Sequence, residues 1–135
     1  KAVEFETQHE RPMHTVVANY GGIYTPRAEG TPSLLLTGAY DETFKLWDLR
    51  SARCERTIVG GSRTTKVGCC FSPDSRFVAI GTDRFGVEIW DVGAGALVQK
   101  LKDDFRGTAV TLLQWNPSNG KLYCGTEAGA VKVLT

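Results

Sequence analysis

Three glycines at near-constant spacing constrain this chain more than any other feature. Gly38, Gly81 and Gly125 lie 43 and 44 residues apart, and each precedes the end of an apolar strand pattern, Trp47, Trp90 or Leu134, by nine residues. The surrounding text repeats with them: Leu34-Leu-Leu-Thr-Gly, then Phe77-Val-Ala-Ile-Gly, then Leu122-Tyr-Cys-Gly, each followed by a polar turn and a second strand pattern. A period of this size marks a repeat architecture in which each unit buries its apolar face against the next.

Each unit reads as strands joined by turns. Lys1–Gln8 alternates Val3 and Phe5 with Glu4 and Glu6, the period of a strand with one solvated face. His14–Tyr24 reads as an inner strand, and Thr25–Ser33 as a long turn bearing Pro and Gly. Shorter turns at Ser72–Ser75 and Asn116–Gly120 place Pro where a type I turn favours it. The strands that follow are apolar without alternation, as expected of strands covered on both faces. Phe44–Leu49, Val87–Val92 and Val131–Leu134 come next, with outer strands at Cys54–Val59 and Leu97–Leu101. The repeated glycines are expected where neighbouring sheets approach closely. The pattern calls for no helix, so the fold class is all-β.

The paired endings Trp47-Asp48 and Trp90-Asp91, with the glycines before them, resemble WD40 repeats. That resemblance implies a β-propeller of four-stranded antiparallel blades, divided as 13–59, 60–101 and an incomplete 102–135, with 1–12 as the outer strand of a preceding or closing blade. Three blades do not close a ring, since propellers use about 4–8. An open arc leaves two apolar faces of the kind soluble monomers avoid. The expectation is a part of a larger propeller of about seven blades, completed by further blades of a parent chain or by a second copy. Lys1–Gln8 is the type of strand that completes a distant blade in the family.

Composition excludes several alternatives. A net charge of +1 supplies no global field toward nucleic acid or an anionic membrane. No apolar run approaches a membrane span, and acidic residues interrupt the first six positions, unlike a signal peptide. Cys54, Cys69, Cys70 and Cys124 form no metal-ligand spacing and read as reduced, buried thiols of an intracellular protein, cytoplasmic or nuclear. There is no P-loop, no nucleophile elbow and no metal motif. The expectation is therefore a non-enzymatic protein without cofactor or metal.

Four groups of residues carry the functional reading. The resemblance implies a hydrogen-bonded set of His14, Thr37, Asp41 and Trp47 that pins a buried turn. The same residue types could serve as a catalytic triad, but the family uses them structurally. Arg84 and Ala128 replace the Asp in the other repeats, and neither has Gly-His before its inner strand, so looser turns are expected there. Tyr40, Asp83 and Glu127 fall where the family presents side chains to peptides, and an aromatic beside acids suits a basic or aromatic-bearing partner. Trp47, Asp48 and Arg50 match the WDxR box by which WD40 substrate receptors dock the damage-binding adaptor of cullin-4 ubiquitin ligases, with Arg50 as a forked donor. The last group is basic: Arg50, Arg53, Arg56, Arg63 and Lys66. It raises an RNA-binding alternative, but the run has few aromatics for base stacking and reads better as a solvated edge. The function expected is a scaffold binding proteins or peptides within a larger complex.

Overall fold

The computed structural model describes residues 2, 4–19, 33–102 and 105–135. Of the expected inner strand His14–Tyr24, the part from Tyr20 on lies outside these residues, as do the long turn up to Pro32 and Lys1 and Val3 of the N-terminal stretch.

Eleven strands form three antiparallel sheets among the described residues. The first joins β1 (Met13–Ala18), β2 (Leu34–Ala39), β3 (Thr43–Asp48) and β4 (Arg53–Val59) in chain order. The second joins β5 (Cys69–Phe71), β6 (Phe77–Gly81), β7 (Val87–Asp91) and β8 (Ala96–Leu101) in the same way. The third has β9 (Val110–Trp115), β10 (Leu122–Thr126) and β11 (Val131–Leu134), with β10 central. Every ladder pairs strands that are consecutive in the chain. The register repeats as well. Gly38 pairs with Phe44, Gly81 with Val87 and Gly125 with Val131.

Two clusters glue the sheets face to face. Leu36, Phe44 and Leu46 of the first sheet meet Cys69, Val78 and Ile80 of the second. Ala79, Val87 and Ile89 on the opposite face of the second meet Val110, Leu122 and Cys124 of the third. The middle strands β2 and β6 are therefore buried on both sides, which is why their sequences do not alternate.

The glycines have different reasons. A Cβ on Gly81 would collide with the Val110 carbonyl of the next sheet, the close approach the spacing predicted. At Gly38 the obstacle lies in the same sheet: a Cβ would come within 2.5 Å of the Phe44 ring. Gly125 has only Leu112 of its own sheet nearby, at 3.2 Å.

The N-terminal segment departs from expectation. Residues 4–9 form no strand. They are anchored by side chains instead. The Phe5 ring packs 5.1 Å from Trp47, and His9 enters the first sheet.

Candidate functional site

The β2–β3 turn of the first sheet holds the densest polar cluster. His9 Nδ1 lies 3.1 Å from Asp41 Oδ2, and His9 Nε2 lies 2.8 Å from Thr37 Oγ1. The Trp47 indole N–H donates to the same Thr37 oxygen at 3.0 Å. With Nδ1–H donating to the carboxylate, Nε2 is left to accept from the Thr37 hydroxyl, so the chain of bonds is satisfied from end to end. Asp41 also accepts from the Thr43 hydroxyl at 2.7 Å, the Thr43 amide at 3.1 Å and the Glu10 amide at 3.1 Å. Burial works to raise the Asp41 pKa, but the hydrogen bonds from Thr43, Glu10 and His9 outweigh it and hold the carboxyl at about 2.

The histidine in this network is therefore His9, whereas the resemblance placed His14 there. His14 stands on β1, where its ring meets Tyr40 edge-on at 5.0 Å and Phe44 at 6.0 Å. Both of its ring nitrogens are buried without a hydrogen-bond partner. Burial lowers its pKa and the Lys66 ammonium adds to that, while the Ala39 backbone partly offsets both, short of a well-formed hydrogen bond. The physical reason for the exchange is reach: a side chain on β1 is committed to the packing of its own strand, whereas His9 precedes the strand and can fold over Thr37. No sequence signal marks it at Gln8. Its φ of 61° supplies the left-handed turn that a glycine would supply in the Gly-His pair, so the missing Gly concealed the site.

As chemistry, the set is closed. Thr37 is 2% exposed and already accepts from the indole, and Phe5 covers Trp47, so no substrate reaches the hydroxyl. Among the described residues, no three His, Cys, Asp or Glu side chains are grouped to hold a metal ion.

The other two sheets lack this network but not ordered turns. Ile80 stands where Thr37 stands, and the Trp90 indole donates to Glu88 at 3.3 Å. The expected looseness is not found. The Thr82 hydroxyl accepts from the Phe85 amide at 2.7 Å and donates to the Gly86 carbonyl at 3.0 Å. Thr126 braces its turn likewise, accepting from the Ala130 amide at 3.1 Å. A threonine before the turn does locally what the Asp does in the first sheet.

These braced turns carry the partner-facing candidates. Tyr40 is half-buried against His14, Asp83 is half-buried, and Glu127 is exposed. Elsewhere, Asp48 accepts the Arg50 amide at 2.8 Å, and Asp91 caps its own turn through the Ala94 amide at 2.9 Å. Arg50 itself is exposed and forms no ion pair among the described residues. The basic run is divided in use. Arg56 donates to the Gly93 carbonyl at 2.6 Å, strapping the first sheet to the second, and Arg63 pairs with Glu42 at 3.2 Å. Among the cysteines, Cys54 is exposed, against expectation, because β4 turns that face to solvent. Burial pushes the thiols of Cys69 and Cys70 up to about 12, and that of Cys124 to about 11.

Comparison with known proteins agrees with this geometry. Residues 52–91 match the WD40 family described as WD domain, G-beta repeat. Protein tipD of Dictyostelium discoideum is 29% identical, over 96% of this chain and 21% of that protein. Nuclear distribution protein PAC1 of Arthroderma otae is 30% identical over 69% of this chain and 20% of its own length. The nuclear distribution protein nudF 2 of Aspergillus clavatus is also 30% identical, over 68% and 21%. The chain thus spans about a fifth of the length of the curated relatives it matches. Among solved structures, the computationally designed Ika4 protein superposes with a TM-score of 0.60 at 25% identity, covering 74% of this chain and 58% of that one. With the repeated register and the three packed sheets, these matches identify the chain as a WD40-repeat chain whose sheets are propeller blades.

Proposed function

We propose that the chain is a non-enzymatic interaction scaffold that presents the β2–β3, β6–β7 and β10–β11 turns to a protein or peptide partner inside the cell. The observation carrying this reading is that Asp41, Thr82 and Thr126 each fix one of these turns by side-chain hydrogen bonds. Side chains on fixed turns lose little freedom on binding, so more of each contact's free energy becomes affinity. Tyr40, Asp83 and Glu127 set the chemistry, an aromatic among acids, which suits a peptide bearing Lys or Arg next to an aromatic. The intracellular setting draws support from relatives named nuclear distribution proteins. The test is a synthetic array of such peptides probed with the purified chain, with captured sequences re-measured against D83A/E127A. Binding should weaken at least about tenfold, equivalent to about 1.4 kcal/mol. Equal binding by both proteins overturns the reading.

A second reading is favoured by one observation, the exposed and unpaired Arg50 after the Asp48-capped turn. That arrangement suits docking of the damage-binding adaptor of cullin-4 ligases through Arg50, oriented by Asp48 and with Trp47 packed beneath, which would make the parent protein a substrate receptor. Arg50→Ala should leave folding within about 0.5 kcal/mol and abolish co-purification of the adaptor. Equal recovery by wild type and variant ends this reading. The RNA alternative is weakened, because Arg56 and Arg63 are engaged within the chain.

A further inference from the structure

At the end of the strands away from the β2–β3 turn, a cavity of about 330 Å³ opens between the first two blades. Leu34 and Leu46 of the first blade and Val92 of the second supply its apolar surface. Asp48, Glu55 and Arg56 supply its charges. Leu34 and Leu46 are buried, and Val92 is half-buried. Both blades have four strands, so neither wall of this groove is missing a strand. The volume falls at the lower end of the range of about 300–1,000 Å³ that ligand clefts occupy, room for a large side chain.

The repeat shows which of these residues a blade requires. Asp48 pairs with Leu34 and Arg53, as Asp91 pairs with Phe77 and Ala96. Leu46 pairs with Arg56, as Ile89 pairs with Gln99. The apolar surface and the acid therefore recur at the same register. The cations do not: Arg50, Arg53 and Arg56 of the first blade correspond to Gly93, Ala96 and Gln99 of the second. A blade of this chain forms without arginine at any of the three positions. The three arginines distinguish the first groove, and blade formation does not account for them.

Their charges are not cancelled within the chain. Arg56 donates to the Gly93 carbonyl at 2.6 Å, a neutral acceptor that leaves the guanidinium charge in place. Arg50 and Arg53 are exposed, and none of the three forms an ion pair among the described residues. Of the two carboxylates, Asp48 is partly occupied, accepting the Arg50 amide at 2.8 Å. The mouth of the groove thus carries more positive than negative charge, directly beside an apolar surface. Each guanidinium offers a planar fork of donors matched to a carboxylate.

The geometry points to this groove as a docking site for a partner protein's segment in which a large apolar residue stands next to Asp or Glu. The apolar side chain enters between Leu34, Leu46 and Val92, and the neighbouring carboxylate meets Arg53 or Arg56 at the mouth. Burial of the apolar anchor supplies most of the affinity, and the charge selects which segments are admitted. A nucleic acid would use the arginines and leave the apolar surface idle, so the groove fits a protein better. The site lies at the other end of the strands from Tyr40, Asp83 and Glu127 and selects the opposite charge, so it is independent of that surface. Asp48 and Arg50 are shared with the adaptor reading, and the test leaves both unchanged.

Fluorescence anisotropy with labelled synthetic peptides tests the proposal. The probes carry one Leu, Phe or Trp flanked by Asp and Glu. One control set has Ala in place of the apolar residue, and another has Lys in place of the acids. Wild type should bind probes at least about tenfold more tightly than either control. Arg53→Glu should weaken that binding at least about tenfold, and Glu55→Lys should strengthen it, while D83A/E127A leaves it unchanged. Arg53 and Glu55 are both exposed, so these variants retain the fold. Val92→Asp should also weaken binding, read only if its circular dichroism matches wild type. Failure of every acid-flanked probe to bind at about 1 mM overturns the proposal. So does equal binding of the Ala controls, which marks a surface for any polyanion, RNA included. Binding indifferent to Arg53→Glu, or weakened as much by D83A/E127A, overturns it as well.

Discussion

His9 Nε2 lies 2.8 Å from Thr37 Oγ1, while His14, five residues further on, offers neither of its buried ring nitrogens a hydrogen-bond partner. The two histidines therefore make opposite contributions. His9→Ala removes one partner of the buried Thr37 hydroxyl and one of the half-buried Asp41 carboxylate and should cost about 1–3 kcal/mol. His14→Phe replaces an unsatisfied ring by an apolar one of similar shape and should leave stability unchanged or raise it. Urea unfolding of both variants decides the matter. A larger loss for His14→Phe than for His9→Ala would reverse the assignment.

Gln8 and Gly61 provide a second pair. Both have positive φ, but Gln8 carries a Cβ in a region where that costs about 1–2 kcal/mol. Gln8→Gly should stabilise the fold, by up to about 1 kcal/mol once the greater freedom of glycine in the unfolded chain is deducted. Gly61→Ala should destabilise it, since φ is 91° and the new Cβ would stand 3.1 Å from the Phe44 ring. Thermal midpoints moving in the same direction for both variants would contradict this.

Acid should destabilise the chain in two windows. His14 binds its proton less readily when folded, so its contribution is intact above its unfolded value near 6.5 and declines as the pH falls below it. Asp41 has its folded pKa depressed from 3.8 to about 2, so its contribution is present above 3.8 and is lost as the pH falls through that interval. Urea midpoints measured from neutral pH downward should lose the upper window in His14→Phe and the lower one in Asp41→Asn. An unchanged profile in either variant refutes the corresponding assignment.

Arg56 separates a strap from a solvated charge. Its guanidinium reaches the Gly93 carbonyl of the next blade at 2.6 Å, while Arg53 on the same strand is exposed and has no comparable bond among the described residues. Arg56→Ala should cost about 1 kcal/mol, and hydrogen exchange should rise at the β7–β8 turn. Arg53→Ala should fall within about 0.5 kcal/mol of wild type. Indistinguishable variants would show that the strap contributes nothing in solution.

The sequence by itself determined the repeat. Strand pairing follows the chain order, so a period of 43–44 residues, apolar runs without alternation and turn residues between them were enough to place β2, β3, β6, β7, β10 and β11. Local patterns carry that information because hairpin ladders are local. Tertiary structure decided which distant side chains complete each turn. The offset between equivalent positions is 43 from Gly38 to Gly81 but 53 from Thr15 to Gly68, so the correspondence of His9 with Ser62 is hidden until the register is known. It also decided that Gly38 makes room for a ring of its own sheet while Gly81 makes room for a neighbour's backbone. Those outcomes depend on which surfaces meet in space, and residues far apart in the chain, such as His9 and Asp41, show nothing in their own neighbourhoods that would announce the meeting.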